Sequence, residues 1–144
     1  MTSLFTRLKT DTDLETKGVW LNFGEAEIKI ARAGGSNLEF AKAEERYFEP
    51  HRRAAELNML AEDVANEALR NVFADTVILG WRTKQADGTY VDTIEGPDGK
   101  PLVFTRDNVM FVMKELPELF RMLRAYAGQW KLFQQQQREI ASGN

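Results

Sequence analysis

The chain has no cysteine and a single histidine, His51. The lack of cysteine excludes disulfides, thiolate zinc sites and thiol nucleophiles, and it fits a reducing compartment. A lone imidazole cannot supply the histidine pair that many metal sites use. Because His51 stands between Pro50 and Arg52, at a predicted helix start, we expect it to be a surface or capping residue.

The sequence also lacks a long apolar run and an excess of positive charge. Its longest apolar candidate, residues 77–81, is far shorter than the ~20 residues of a membrane span. The N-terminal residues contain no apolar stretch of the kind that a secretory signal carries. The 19 basic and 22 acidic side chains give a net charge of −3, which argues against a nucleic-acid binder. We therefore expect a soluble cytoplasmic protein with no membrane or nucleic-acid partner.

Familiar catalytic and cofactor-binding arrangements are missing as well. Gly34 and Gly35 follow a predicted strand, but neither the G-x-G-x-x-G fingerprint nor the Walker pattern is present. The adjacent acids Glu62 and Asp63 would point about 100° apart on a helix, so they would not converge on a metal or a proton. We therefore predict a protein that is not an enzyme and needs no metal or cofactor.

What is present is apolar periodicity, which predicts a β-hairpin and two helices in the first half of the chain. Alternating apolar residues over 18–33 predict the hairpin. Ser36 or Asn37 can cap a short helix over 38–48, because a short side-chain oxygen accepts a free backbone N–H. The apolar stripe that follows predicts one long helix from residue 52 to about residue 79.

The second half of the chain predicts another β element and two more helices. Asp-Gly turn sequences divide residues 81–104 into short strands, because glycine accepts the positive φ of a tight turn. Thr105 is the predicted cap of the next helix. Pro117 suits the first turn of the last helix, where its missing N–H removes no hydrogen bond.

These elements together predict a mainly α fold with small β-hairpin elements (α+β), in a single compact domain over residues 18–133. Residues 1–17 are polar with a few apolar positions, and we expect a mobile or loosely docked N-terminal arm. Residues 134–144 are polar and low in complexity, which predicts a disordered tail.

The helices carry more apolar residues than one face of each helix needs. Residues 109–113 are consecutive apolar residues and would point all round a helix. Others lie off the apolar stripes of their predicted helices, and methionine is common at surfaces that bind shifting partners. A compact core is the alternative for any one of them. As a set they predict a partner or self-association interface that includes Met59, Val109, Met110, Phe111, Met113, Met122, Leu132 and Phe133.

The order of motifs resembles that of a known family. In sequence they are KGVWLNF and EIKIARA, ILGW, ADGTYVDTIEGPDGKP, VFTRDN and LPELFRMLRAYA. VFTRDN is similar to a family pattern of Phe, Ser or Thr, any residue, an acid and Asn. Over roughly residues 17–130 the chain resembles the tail assembly chaperones of long-tailed phages.

The resemblance implies a role without catalysis. Such chaperones bind the tape measure protein, keep its apolar helices soluble and help to recruit tail tube subunits. They work in the host cytoplasm and are not expected in the mature virion. The chain would match the short form of a family that often also has a longer, frameshifted form. Weak contacts repeated along a long client give avidity, and we therefore expect a homo-oligomer.

The same sequence features leave a second interpretation open. A structural tail or head–tail joining protein that is retained in the virion would have a similar composition. The resemblance transfers no residue role, because the family has no shared catalytic motif.

Overall fold

In the computed structural model, which describes residues 3–134, the early hairpin lies where alternation predicts it. Its strands are β1 (Val19–Asn22) and β2 (Ala26–Ile30), which pair antiparallel. Gly24 in the turn has a φ of 97°, a left-handed conformation that glycine adopts without strain. The prediction of this hairpin is confirmed.

The hairpin is half of a larger sheet. Strand β3 (Ile78–Lys84) pairs antiparallel with β2, and β4 (Tyr90–Val91) pairs with β3, so the order is β1-β2-β3-β4. Strands β5 (Thr93–Glu95) and β6 (Pro101–Val103) form a second, two-stranded sheet. The predicted β element over 81–104 therefore contributes to both sheets, because β3 and β4 extend the hairpin whereas β5 and β6 pair with each other.

Two short helices precede the hairpin, α1 (Leu4–Leu8) and α2 (Thr12–Lys17). Leu14 and Glu15 of α2 are buried, whereas α1 buries no residue. The predicted arm over 1–17 is therefore wrong from Thr12 onward. Leu14 packs into the hydrophobic core, so α2 is part of the domain.

Helix α3 (Leu38–Phe48) has the predicted bounds, but the residue before it has a different role. The amide of Asn37 does not cap the helix. Its Nδ2 donates to the backbone oxygens of Arg32 at 2.8 Å and of Thr76 at 2.9 Å. Asn37 thus joins three segments of the chain, and the prediction that it caps α3 is wrong.

The predicted long helix over 52–79 is wrong, because the chain breaks it at two places. It forms α4 (Arg52–Glu56) and α5 (Glu62–Thr76), joined through Asn58, which has a φ of 55°. A left-handed residue ends a helix because its backbone turns away from the axis. At the other end the chain leaves α5 for β3, where it pairs with β2.

The last two helices lie as predicted, α6 (Arg106–Glu115) and α7 (Pro117–Ala127). Thr105 caps α6 by accepting a hydrogen bond from the Asn108 N–H at 3.1 Å. Pro117 occupies the first turn of α7. Among residues 3–134 no helix is long and apolar enough to cross a bilayer.

Edge-to-face aromatic contacts join the helices in the core. The ring centroid of Phe73 lies 5.9 Å from that of Phe40 and 5.4 Å from that of Phe120. Phe73 of α5 therefore contacts both α3 and α7. Trp81 is buried, and its Nε1 donates to the Leu102 oxygen at 3.1 Å. One core serves both sheets and the helices, which confirms a single α+β domain.

Candidate partner-binding surfaces

The predicted interface residues separate into buried and exposed side chains. Val109, Met113 and Phe133 are at most 1% exposed and lie in the hydrophobic core. The prediction is wrong for these three, because a core side chain cannot contact a partner without unfolding of the domain. The run of apolar residues on α6 therefore does not form a continuous exposed surface.

Two more of the predicted interface residues, Met110 and Leu132, are half-buried. Leu132 packs against the core from the short 3₁₀ turn Trp130–Phe133. Both have a solvent-exposed part, so their contact with a partner stays a prediction.

The remaining predicted residues are exposed. The exposed fraction is 73% for Met59, 42% for Phe111 and 43% for Met122. Met59 lies in the connection between α4 and α5 beside Leu57, which is also exposed. A partner contact by these residues also stays a prediction, and their exposure is compatible with it.

An apolar stripe follows one side of α7. Met122 and Tyr126 are one turn apart and exposed, and Leu119 adds a half-buried apolar side chain one turn before Met122. Residues three and four apart are neighbours on a helix surface. We call these three residues the α7 stripe; it flanks the face that buries Phe120 and Leu123.

Helix α1 forms a second exposed apolar surface, which the sequence analysis did not predict. Leu4, Phe5 and Leu8 are exposed, Phe5 to 83%, and we call them the α1 surface. The sequence did contain a signal for this helix, because serine is a common cap residue. In the structure Ser3 caps α1 by accepting a hydrogen bond from the Thr6 N–H at 3.1 Å. The segment was too short for periodicity to show.

Hydrogen bonds from the far end of the described chain hold α1 against the domain. The side-chain amide of Gln134 donates to the Arg7 oxygen at 2.8 Å and to the Lys9 oxygen at 3.1 Å. A five-residue helix is not stable by itself in water. The α1 surface therefore depends on such contacts for its position.

A buried carboxylate anchors α2. One carboxylate oxygen of Glu15 accepts from the Arg32 guanidinium at 2.6 Å, and the other accepts from the Thr10 hydroxyl at 2.9 Å. Burial alone would raise the pKa of Glu15, but these hydrogen bonds, another from the Ser36 N–H and the charge of Arg32 leave that pKa lowered. Gly35 lies so close that a Cβ there would be 1.9 Å from the carboxylate. The charged form of Glu15 is thus part of the fold.

A second polar cluster joins α3, α5 and α6 at the surface. Asp75 accepts from the Arg106 Nε at 2.8 Å and from the Tyr47 hydroxyl, and Arg106 also donates to Asn71 at 2.6 Å. Burial opposes ionisation of Asp75, but the hydrogen bonds from Arg106 and Tyr47 and the charges of Arg106 and Arg46 lower its pKa. The cluster holds the start of α6 in place.

An open cleft of about 550 Å³ lies beside this cluster, and His51 lines it. Asp63, Glu67 and Lys114 are among the charged residues of its walls. Within residues 3–134 no group of three or more histidine or acidic side chains is placed to hold a metal ion. Acidic and basic side chains therefore line the same cleft.

Comparison with known proteins finds one family. The sequence model of the family described as YdaY prophage protein matches residues 34–144, which is most of the chain. No curated protein and no solved structure matches. The matched region begins after the hairpin and includes α3 to α7.

Proposed function

The chain belongs to the YdaY prophage protein family, and from that premise we propose that it is a non-enzymatic chaperone of phage tail assembly. Its client would be the tape measure protein, and it would help to recruit tail tube subunits. Phage origin supports the proposal, and so does the order of motifs that resembles tail assembly chaperones. We place the protein in the host cytoplasm and not in the mature virion.

The observation that carries the proposal is the exposure of large apolar side chains on two helices. The α1 surface is exposed over all three of its residues, and the α7 stripe over Met122 and Tyr126. Contiguous exposed apolar residues commonly mark protein contacts. Leu57 and Met59 form a third exposed apolar site.

The physical role follows from that exposure. A client that exposes apolar helical stripes aggregates until assembly buries them. A small domain with exposed apolar helices covers such stripes reversibly, because each contact is weak. Several copies on one client then bind by avidity, and removal of one copy at a time releases the client. This is why we propose a homo-oligomer.

The test is co-expression with the tape measure protein of the same prophage. The chaperone should move the tape measure protein into the soluble fraction and co-purify with it. The double substitution Met122→Lys and Tyr126→Lys places charge on the α7 stripe and should reduce co-purification several-fold. Arg121→Lys, on the exposed side of the same helix, is the matched control and should have no effect.

A tape measure protein that stays insoluble with and without this chain would overturn the proposal. Mass spectrometry of purified virions separates the chaperone from the alternative of a structural tail or head–tail joining protein. The chaperone should be missing from the virions, whereas the joining protein should be present at a fixed copy number.

A further inference from the structure

Strand β1 is an open edge of the four-stranded sheet. The Phe23 N–H donates to the Ala26 oxygen, so in this antiparallel register Val19, Leu21 and Phe23 point their backbone groups toward β2. Trp20 and Asn22 therefore point theirs away from it. Among residues 3–134 no backbone partner meets those outward groups, and β2 is the described element with an extended contact to β1.

This edge has few of the usual protections against pairing. Natural edge strands are blunted by lysine, proline, bulges or very short length. The sequence of β1, VWLN, contains no charge and no proline. The opposite edge of the sheet, β4, is two residues long. The two edges therefore differ, and β1 is the one that can accept a strand.

We propose that β1 pairs antiparallel with β1 of a second copy of this chain, about a twofold axis at Leu21. In that register Trp20 lies opposite Asn22 of the second copy, and each such pair exchanges both of its N–H···O=C bonds. The inference rests on the proposed function in one respect, the expectation of several copies on one client. It adds the surface through which the copies join.

Charge complementarity favours a second copy as the occupant. Lys17, the last residue of α2, precedes β1, and Glu25, in the hairpin turn, follows it. Antiparallel pairing places the start of each β1 beside the end of the other, and so brings Lys17 of each copy to the end that carries Glu25 of the other. Both residues are exposed, and neither forms an ion pair within residues 3–134. Gly18 precedes β1 and Gly24 lies in the turn after it, so neither of these positions carries a side chain that would obstruct the approach of a second strand.

Side-chain contacts of Trp20 with Arg82 of β3 hold β1 in position for pairing. The Arg82 guanidinium lies 3.9 Å from the ring centroids of both Trp20 and Tyr90. Its Nη2 also donates to the Glu27 carboxylate at 2.8 Å. A stacked and hydrogen-bonded arginine keeps its aromatic neighbours ordered. Binding then requires little further ordering of Trp20.

The first test uses charge reversal, with self-association of the full chain measured by analytical ultracentrifugation at low ionic strength. The wild type should form a dimer that dissociates on dilution. Lys17→Glu alone and Glu25→Lys alone should each raise the dissociation constant about tenfold, because attraction at both ends becomes repulsion. The double variant, and a mixture of the two single variants, should dimerise with about the dissociation constant of the wild type.

The second test removes an outward N–H without touching the intramolecular ladder. Asn22→Pro deletes that donor, whereas the matched control Asn22→Ala keeps it; both lose the hydrogen bond from the Gly24 N–H to the Asn22 side chain. Asn22→Pro should weaken the dimer about tenfold or more relative to Asn22→Ala. Thermal unfolding at low concentration should be the same for both variants, which excludes misfolding.

The inference is overturned if the wild type is monomeric at high concentration, if the charge-swapped double variant fails to dimerise, or if the two Asn22 variants associate equally. Co-purification with the tape measure protein is measured on the same samples. A wild type that binds the client but stays monomeric contradicts this inference alone. A dimer that binds no client contradicts the proposed function alone.

Discussion

Helices α6–α7 and helices α1–α2 both include exposed apolar side chains, yet they attach to the domain differently. The C-terminal pair is held by packing, with Val109, Met113 and Leu123 fully buried. In the N-terminal pair Leu14 and Glu15 are the buried residues. One pair is anchored by apolar contact, and the other largely by a hydrogen-bonded carboxylate.

The difference shows that apolar content does not decide which helix contributes to the core. Helix α7 presents a buried face and an exposed stripe side by side, so its apolar excess remains at the surface. Helix α1 contributes nothing to the core, and hydrogen bonds from Gln134 hold it to the domain. We expect mutations in the two regions to separate stability from binding.

The largest effect should come from the buried side of the C-terminal pair. Met113→Ala removes a fully buried side chain and should lower the free energy of unfolding by about 3 kcal/mol, because it leaves a cavity. Met122→Ala, on the exposed stripe, should lower it by less than about 0.5 kcal/mol. Urea unfolding followed by circular dichroism measures both. Equal losses would show that the two faces of the pair are not distinct.

A smaller loss should follow from disruption of the α2 anchor. Glu15→Gln keeps the shape of the side chain but removes the charge that Arg32 and Thr10 bind. We expect a loss of about 2 kcal/mol in the free energy of unfolding, since hydrogen bonds to a charged group are the stronger ones. Thr16→Ala, at an exposed position of α2, is the control. A loss no greater than that of the control would mean that Glu15 does not anchor α2.

The pH dependence sharpens the same comparison. The pKa of Glu15 is lowered in the folded state, so its stabilisation is complete above the unfolded value of about 4.3. It is lost as the pH falls through the folded pKa. The stability difference between wild type and Glu15→Gln should therefore be constant from about pH 7 to pH 5 and shrink below that.

The lowered pKa of Asp75 acts in the same direction in both proteins, so it cancels in this difference. A difference that grows as the pH falls would contradict a lowered pKa of Glu15.

The smallest effect on stability should come from the α1 surface. Phe5 is 83% exposed, so Phe5→Gln should change the free energy of unfolding by less than about 0.5 kcal/mol. The same substitution should reduce co-purification of the tape measure protein several-fold, whereas Phe5→Leu should retain it. If Phe5→Gln destabilises the domain and leaves client binding unchanged, α1 is a structural element and not a contact surface.

The interface prediction succeeded least where it depended on helix faces. Met59 was assigned to the polar side of a long helix, but the chain there is a connection with Asn58 in a left-handed conformation. Val109 and Met113 are buried because α6 packs between neighbouring elements of the core. Which sides of a helix are buried depends on the elements that pack against it, and a single sequence does not show which elements these are. Phe111 and Met122 remain exposed because no element packs over them within residues 3–134.

Residues close in the chain were enough to predict the hairpin, the bounds of α3, the Thr105 cap and the start of α7 at Pro117. These features depend on turn conformation, capping and short-range periodicity, which act within a few residues. Long-range packing decided the rest. The chain from Ile78 becomes a strand because β2 offers it a hydrogen-bonded partner, and α2 joins the domain because Arg32 and Thr10 compensate the burial of Glu15.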